Sequence, residues 1–360
     1  MATAGGLVLA LIALAVLSGP VHAPSPTLTP ALVSQASSTP AAPTSTPPIP
    51  TSTALSAGTA IAPIAVLQPT ETFPPEPTPI GGSQRIAFAS DRSGSLQVWI
   101  MDAGNPENRQ QVTEAKGGAC QPAWSPDGTQ IAFTTPCIGP SVYYPGSKIK
   151  IVRLADKSIS DLPVKSTGVA GAFDPAWSPD GKTLLYTAIV GQNTEIRAIG
   201  LKDLKTRVLA NRGTKNAQPA WSRDGKYIAY IYSDDRNWDA LWSMGANGDS
   251  QELLARSGRF AEPAWAPDGL HILVSKIPGD NIPVLALFDR SDPTQDAVQL
   301  LPDTYRMSHA SVSPDGRWAV FWTDKISNNP EILMIRMDGK QIHQLTNNNM
   351  RDFQPAWSPQ

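Results

Sequence analysis

Six polar side chains stand three residues ahead of a recurring position. Gln121, Asp174, Gln218, Glu262, His309 and Gln354 precede Trp124, Trp177, Trp221, Trp265, Val312 and Trp357. Gathered in one place, these amides, carboxylates and one imidazole would form a ligand-binding ring. Asp174 with Glu262 is the one carboxylate pair in the set, the minimum for a carbohydrate-active enzyme. The competing reading is purely structural: a ring of hydrogen bonds tying neighbouring elements together, because buried polar groups must be satisfied internally. Other chemistry is missing from the sequence. It has no Gly-x-Ser-x-Gly elbow, no His-Glu-x-x-His, no phosphate-cradling glycine loop and no Cys-x-x-Cys. The histidines His22, His271, His309 and His343 do not cluster, so a three-histidine metal site is not expected. We therefore expect no cofactor, no metal and no catalytic activity.

What must position the six residues is a repeat. Gln121-Pro-Ala-Trp124-Ser-Pro-Asp-Gly128 recurs at 174–181, 218–225 and 262–269, more weakly at 309–316, and in part at 354–360. The period is about 45 residues, that of a four-stranded propeller blade. Ser-Pro-Asp-Gly is a turn signature, with Pro presetting φ and Gly closing the turn. An apolar strand follows each turn, as in Ile131-Ala-Phe133 and Leu184-Leu-Tyr186, then a third strand and a shorter, more polar fourth. No long helical period appears. The globular part opens with a second strand, Gln84 to Phe88, and closes with a first strand, Phe353 to Ser358. Joined, these complete one blade from both termini and leave no long open edge. The expectation is an all-β, six-bladed β-propeller closed by pairing of its N- and C-terminal strands. In such a ring the first strand of each blade is innermost, so the six polar residues are expected at one mouth of the central channel.

The repeat resembles the propeller domain of the TolB family, with its Pro-x-Trp-Ser-Pro-Asp-Gly signature, over about residues 84–360. The resemblance implies six blades and an exported or periplasmic protein. TolB itself also carries an N-terminal α/β domain, whose place here is taken by a linker. The repeat tryptophans are expected to pack between sheets, and Asp127, Asp180, Asp224, Asp268 and Asp315 to form turns.

The loops leading into the inner strands share one face. They carry Lys116, Lys165, Arg212, Lys215, Arg256, Arg259, Arg306 and Arg351 against Glu114, Asp303 and Asp352. That excess makes a partner-binding rim that would steer anionic partners, unless these are ordinary solvated charges. Tyr143 and Tyr144, in an insertion at 136–147, and Trp238 add aromatics to the same face. Cys120 and Cys137, the only cysteines, flank one hairpin; they form one disulfide or remain buried thiols.

Residues 1–23 read as a signal peptide or an uncleaved signal anchor, with an apolar run from Gly5 to Leu17 and a small-x-small site at Val21-His22-Ala23. Residues 24–82 read as a disordered linker rich in Pro, Ser and Thr, whose only charges are Glu71 and Glu76. The propeller occupies 83–360. A formal net charge of −2 gives no basic excess for nucleic acid. The expected role is an exported scaffold that binds another envelope or extracellular protein. The alternative is a sensor of an anionic glycan or small molecule at the channel mouth. Membrane contact is expected only through the N-terminal segment.

Overall fold

The computed structural model describes residues 84–359, apart from 142, 165–167, 235–237, 256–257, 280–281, 302–305 and 327–328. The signal or anchor at 1–23, the linker at 24–82, Lys165, Arg256 and Asp303 lie outside the described residues. Among those described, no helix is long and apolar enough to cross a membrane.

Each Ser-Pro-Asp-Gly segment builds its turn from its own atoms. In the first copy the Gly128 N–H donates to the Ser125 carbonyl, at 2.9 Å, and Gly128 takes a φ of 67°. The Ser125 Oγ accepts the Gln130 N–H at 2.9 Å, and Asp127 accepts the Thr129 N–H at 3.1 Å. The hydrogen bonds from Ser125 and Thr129 hold the Asp127 carboxyl below its ordinary pKa. The same geometry recurs at Asp180 and Asp224. These turns launch antiparallel hairpins, and the described residues form 24 strands in six four-stranded sheets.

The blades read, inner strand to outer, as follows. Blade 1 is built from both ends of the domain: β24 (Asp352–Trp357), β1 (Arg85–Ser90), β2 (Gln97–Asp102) and β3 (Asn105–Gln111). Blade 2 holds β4 (Cys120–Trp124), β5 (Gln130–Thr135), β6 (Lys148–Arg153) and β7 (Ile159–Asp161). Blade 3 holds β8 (Val169–Trp177), β9 (Thr183–Val190), β10 (Asn193–Gly200) and β11 (Thr206–Ala210). Blade 4 holds β12 (Lys215–Trp221), β13 (Tyr227–Ser233), β14 (Ala240–Gly245) and β15 (Glu252–Ala255). Blade 5 holds β16 (Arg259–Trp265), β17 (His271–Ile277), β18 (Val284–Asp289) and β19 (Val298–Gln299). Blade 6 holds β20 (Ser308–Val312), β21 (Trp318–Thr323), β22 (Glu331–Arg336) and β23 (Ile342–Gln344). The ring closes where Ile86 pairs with Trp357 and Ser90 with Asp352.

The core is distributed. Six of seven apolar clusters each lie between two successive blades, as where Phe88 and Met101 of blade 1 meet Trp318 and Ile332 of blade 6. The repeat tryptophans belong to these seams. The indole N–H of Trp124, Trp177 and Trp265 each donates to an alanine carbonyl on the preceding blade's inner strand, at 3.0 to 3.1 Å. The seventh cluster sits at the loop end near the axis and gathers Cys120, Cys137, Tyr144, Phe173 and Phe353.

Candidate functional site around the propeller axis

All six ring positions adopt left-handed backbone, with φ between 51° and 57°. Residues other than glycine are uncommon there, and the conformation persists only where its surroundings enforce it. The cause is a bulge. Cys120 pairs with Thr134 and Ala123 with Ala132, so the inner strand carries one extra residue against its neighbour. The next residue is proline in five blades (Pro122, Pro175, Pro219, Pro263, Pro355) and Ala310 in blade 6. Proline has no N–H for the bulge to leave unpaired.

The bulge turns each ring N–H toward the preceding blade, whose ring side chain accepts it. The Gln121 N–H donates to Gln354 Oε1 at 3.0 Å, Asp174 N–H to Gln121 Oε1 at 3.1 Å, and Gln218 N–H to Asp174 Oδ2 at 3.2 Å. Glu262 N–H donates to Gln218 Oε1 at 3.0 Å, and His309 N–H to Glu262 Oε2. The imidazole of His309 carries no oxygen and makes no such link to Gln354, so the chain of links has one seam, between blades 6 and 1. Three hydroxyls on second strands brace the ring: Thr134 to Gln121, Thr187 to Asp174 and Ser275 to Glu262, each thirteen residues after its partner. Sequence reasoning missed them, although that recurring offset was a readable signal.

The ring lies deeper than expected. Asp174 is the sixth residue of β8 and Gln218 the fourth of β12, because these inner strands extend past the ring toward the loop face, whereas Gln121 and His309 stand second in β4 and β20, at the strand start as expected. One end of the ring opens into a cavity of about 370 Å³, lined by all six ring residues and by the Pro, Ala and Trp positions that follow them. At the other end stands Tyr144. It was expected on the exposed rim, yet it is only 6 % exposed. Its ring packs on Phe173, and its hydroxyl donates to the Gly139 carbonyl and accepts the Ser141 N–H. Gln354 Nε2 lies 3.4 Å from the same oxygen, and burial pushes the phenol up to about 12. The insertion carrying Tyr144 is tied to β4 by a disulfide between Cys120 and Cys137.

The charged members of the ring influence one another. Burial pushes Asp174 up to about 6, against the hydrogen bond from Thr187 and the charge of His309. Burial also acts to raise Glu262, but the charge and hydrogen bonds of His309 outweigh it and hold that carboxyl below its ordinary range. For His309 burial acts downward and the charge of Glu262 wins, raising the imidazole. The sign for Asp174 follows. Its folded-state pKa lies above the ordinary 3.8, so its charged form disfavours the fold, and stability falls as pH rises from about 4 to about 6. Glu262 contributes stability that is lost as pH falls through its lowered value. His309 contributes stability that is lost as pH rises through its raised one. Asp174→Asn is expected to flatten the fall between pH 4 and 6 in melting temperature; an unaltered slope in the variant would refute this assignment.

The basic rim is less basic than its residue types. Lys215 and Arg259 share Asp239 at 2.8 and 3.1 Å, Arg306 pairs with Asp324 and Arg351 with Asp91. Lys116 and Arg212 are exposed and make no ion pair among the described residues. Asp352, expected as a rim acid, is wholly buried against Arg92. The rim also exposes large apolar and aromatic side chains: Ile138 is 88 % and Trp238 73 % exposed, and Tyr143 and Met350 are also open to solvent. Among the described residues no group of three His, Cys, Asp or Glu side chains is placed to hold a metal ion.

The profile of the TolB beta propeller domain matches residues 144–360, more than half of the chain. The chain belongs to the TolB β-propeller family. A TolB homolog of Chlorobium luteolum is 32 % identical over 130 residues, which make up 36 % of this chain and 27 % of the relative. A second, from Chlorobaculum tepidum, is 35 % identical over 104 residues, 29 % of this chain and 21 % of the relative. This TolB-like chain thus spans about a quarter of the length of the curated relatives it matches. The crystal structure of TolB from Acinetobacter baumannii superposes with a TM-score of 0.65 at 24 % identity, covering 77 % of this chain and 67 % of that one, a likeness of fold.

Proposed function

We propose that this TolB-like propeller is a non-catalytic protein-binding module of the bacterial cell envelope that docks another envelope protein on its loop face. The observation that carries the reading is the apolar patch formed by Ile138, Tyr143 and Met350. The Ile138 carbonyl lies 3.5 Å from Arg351 Nη1, which brings the insertion against the loop holding Met350. The Cys137 N–H donates to the Gly117 carbonyl, which brings in Lys116, and Tyr143 lies edge-on to Phe173. Side chains of this size gathered beside two cations suit the centre of a protein interface. The disulfide holds the patch in place before binding, so little ordering remains to oppose association. Membership of the TolB family supports a location outside the cytoplasm, periplasmic or extracellular.

The test is capture of partners from the envelope fraction of producing cells by the full chain. Ile138→Glu with Met350→Glu is expected to lose the principal partner, whereas Arg259→Glu with Arg306→Glu, whose cations are already paired, is expected to retain it. Recovery of the same partner at the same yield by the Ile138/Met350 variant would remove the loop patch from consideration.

A further inference from the structure

The seams between blades are not equally filled on the turn face. In every blade the residue after the third strand sends its N–H to the residue before the second strand: Ala103, Leu154, Leu201, Ala246, Arg290 and Met337 donate at 2.8 to 3.1 Å. Leu154, Leu201 and Met337 pack on the apolar clusters of the seams with their preceding blades. The Arg290 guanidinium lies 3.9 Å over the Tyr227 ring of blade 4. Alanine holds the position twice. Beside Ala103 the seam is filled from the other side by Trp318. Opposite Ala246 the corresponding residue is Thr183, and a groove of about 790 Å³ opens between blades 3 and 4. The indoles report the same difference. Trp124, Trp177 and Trp265 donate across their seams, whereas the buried Nε1 atoms of Trp221 and Trp357 have no acceptor among the described residues. Those two belong to the seams with alanine.

The groove has a half-buried indole, Trp221, in its lining. Beside it Gln251 Nε2 ties the outer strand of blade 3 to the 245–250 turn, donating to the carbonyls of Leu209 and Gly248 at 3.1 and 3.0 Å. The backbone along the blade 4 wall is already satisfied. The N–H groups of Gly225, Lys226, Gly245, Ala246 and Gly248 all donate within their own blade. A peptide strand therefore finds no free edge of donors there. Asp180 and Asp224 are paired with Lys182 and Lys226. What remains for a ligand is Arg207 and Asp249, both exposed and in no ion pair among the described residues, with the Asn247 amide and the Thr183 hydroxyl. The two free charges are opposite, so neither an anion nor a cation is favoured. The four side chains offer both donors and acceptors beside an aromatic ring. A ligand whose hydroxyls both give and take hydrogen bonds, and whose apolar C–H face can lie on an indole, is a saccharide.

We propose that the groove between blades 3 and 4 binds a neutral oligosaccharide, with one sugar ring on Trp221 and its hydroxyls shared between Arg207 and Asp249. The site lies on the turn face and does not depend on the loop patch. The probes are cellotriose, maltotriose, mannotriose and triacetylchitotriose, offered to the full chain and followed by isothermal titration calorimetry. Saturable binding of at least one of them is expected. Ala246→Leu installs the residue that blades 2 and 3 carry at this position, Leu154 and Leu201. It should abolish that binding while the melting temperature holds or rises. Arg207→Ala removes a charged donor and should weaken binding at least about tenfold. Because Arg207 is exposed, this second variant covers the case in which the first fails to fold. The Ile138/Met350 variant should bind the sugar normally, so that failure of this site and failure of the loop patch are read separately. The proposal is overturned by absence of saturable binding of all four probes, by unaltered affinity in folded Ala246→Leu or Arg207→Ala chains, or by tighter binding of the anionic trigalacturonate than of any neutral probe.

Discussion

Deleting residues 352–359 is expected to abolish the sharp unfolding transition of the propeller. β24 is the inner strand of blade 1, and it delivers four things together. It pairs with β1 along Ile86, Ala87, Ala89 and Ser90. Phe353 fills the axial cluster with no exposed surface. Trp357 packs in the seam between blades 6 and 1. Gln354 accepts the Gln121 N–H. Without it β1 becomes an unpaired inner edge and blade 6 loses the face it packs against. A urea titration read by near-ultraviolet circular dichroism should show a broad, low-midpoint loss of signal and a shift to aggregates on size exclusion. Retention of a single steep transition would mean that closure contributes little. The milder Phe353→Ala substitution, a cavity in a wholly buried site, should cost about 3–5 kcal/mol.

The second large effect is expected at Asp352. Its carboxylate has no exposed side-chain surface and takes two contacts, 2.8 Å each, from Arg92 Nη2. Asn348 Nδ2 adds a third at 2.8 Å. Arg92 is itself mostly buried, its guanidinium lying over the rings of Phe88 and Trp99 at 5.2 and 5.1 Å. Asp352→Ala would leave that charge among aromatic faces without its counter-ion, a loss of about 3–5 kcal/mol. The double variant Arg92→Met, Asp352→Leu removes both charges and should lose less than the single one. The urea midpoints of these three chains decide the matter. A cost below about 1 kcal/mol for Asp352→Ala would show the pair to behave as a solvated surface contact.

The fold was legible because the same local instruction is written in every blade. Ser-Pro-Asp-Gly fixes each hairpin, and the unmatched strands at Arg85 and Phe353 announce how the circle closes. The ring was legible too, since Gln121 and its counterparts keep one offset from the tryptophan. Its depth was not, because the length of β8 depends on how far Gly171 and Ala172 find partners in Ile189 and Ala188. Tyr143 and Tyr144 were equivalent as letters. Which of them turns inward depends on the path of an insertion held by a disulfide. The rim charges illustrate the same limit: Arg351 is plain in the sequence, but Asp91, which holds it, is 260 residues away. Local chemistry is written in adjacent residues, whereas burial and pairing across the ring are set by topology.

The seam between Arg85 and Ser358 joins residues 273 apart in the chain. A nascent polypeptide emerging from a ribosome can therefore assemble blades 2 to 6 in order, but it holds β1 unpaired on its inner side until β24 has been delivered. During that interval the exposed strand is open to pairing with other chains. Synthesis thus faces its greatest risk of misassembly at the start of the propeller, and that risk ends only with the arrival of its last strand.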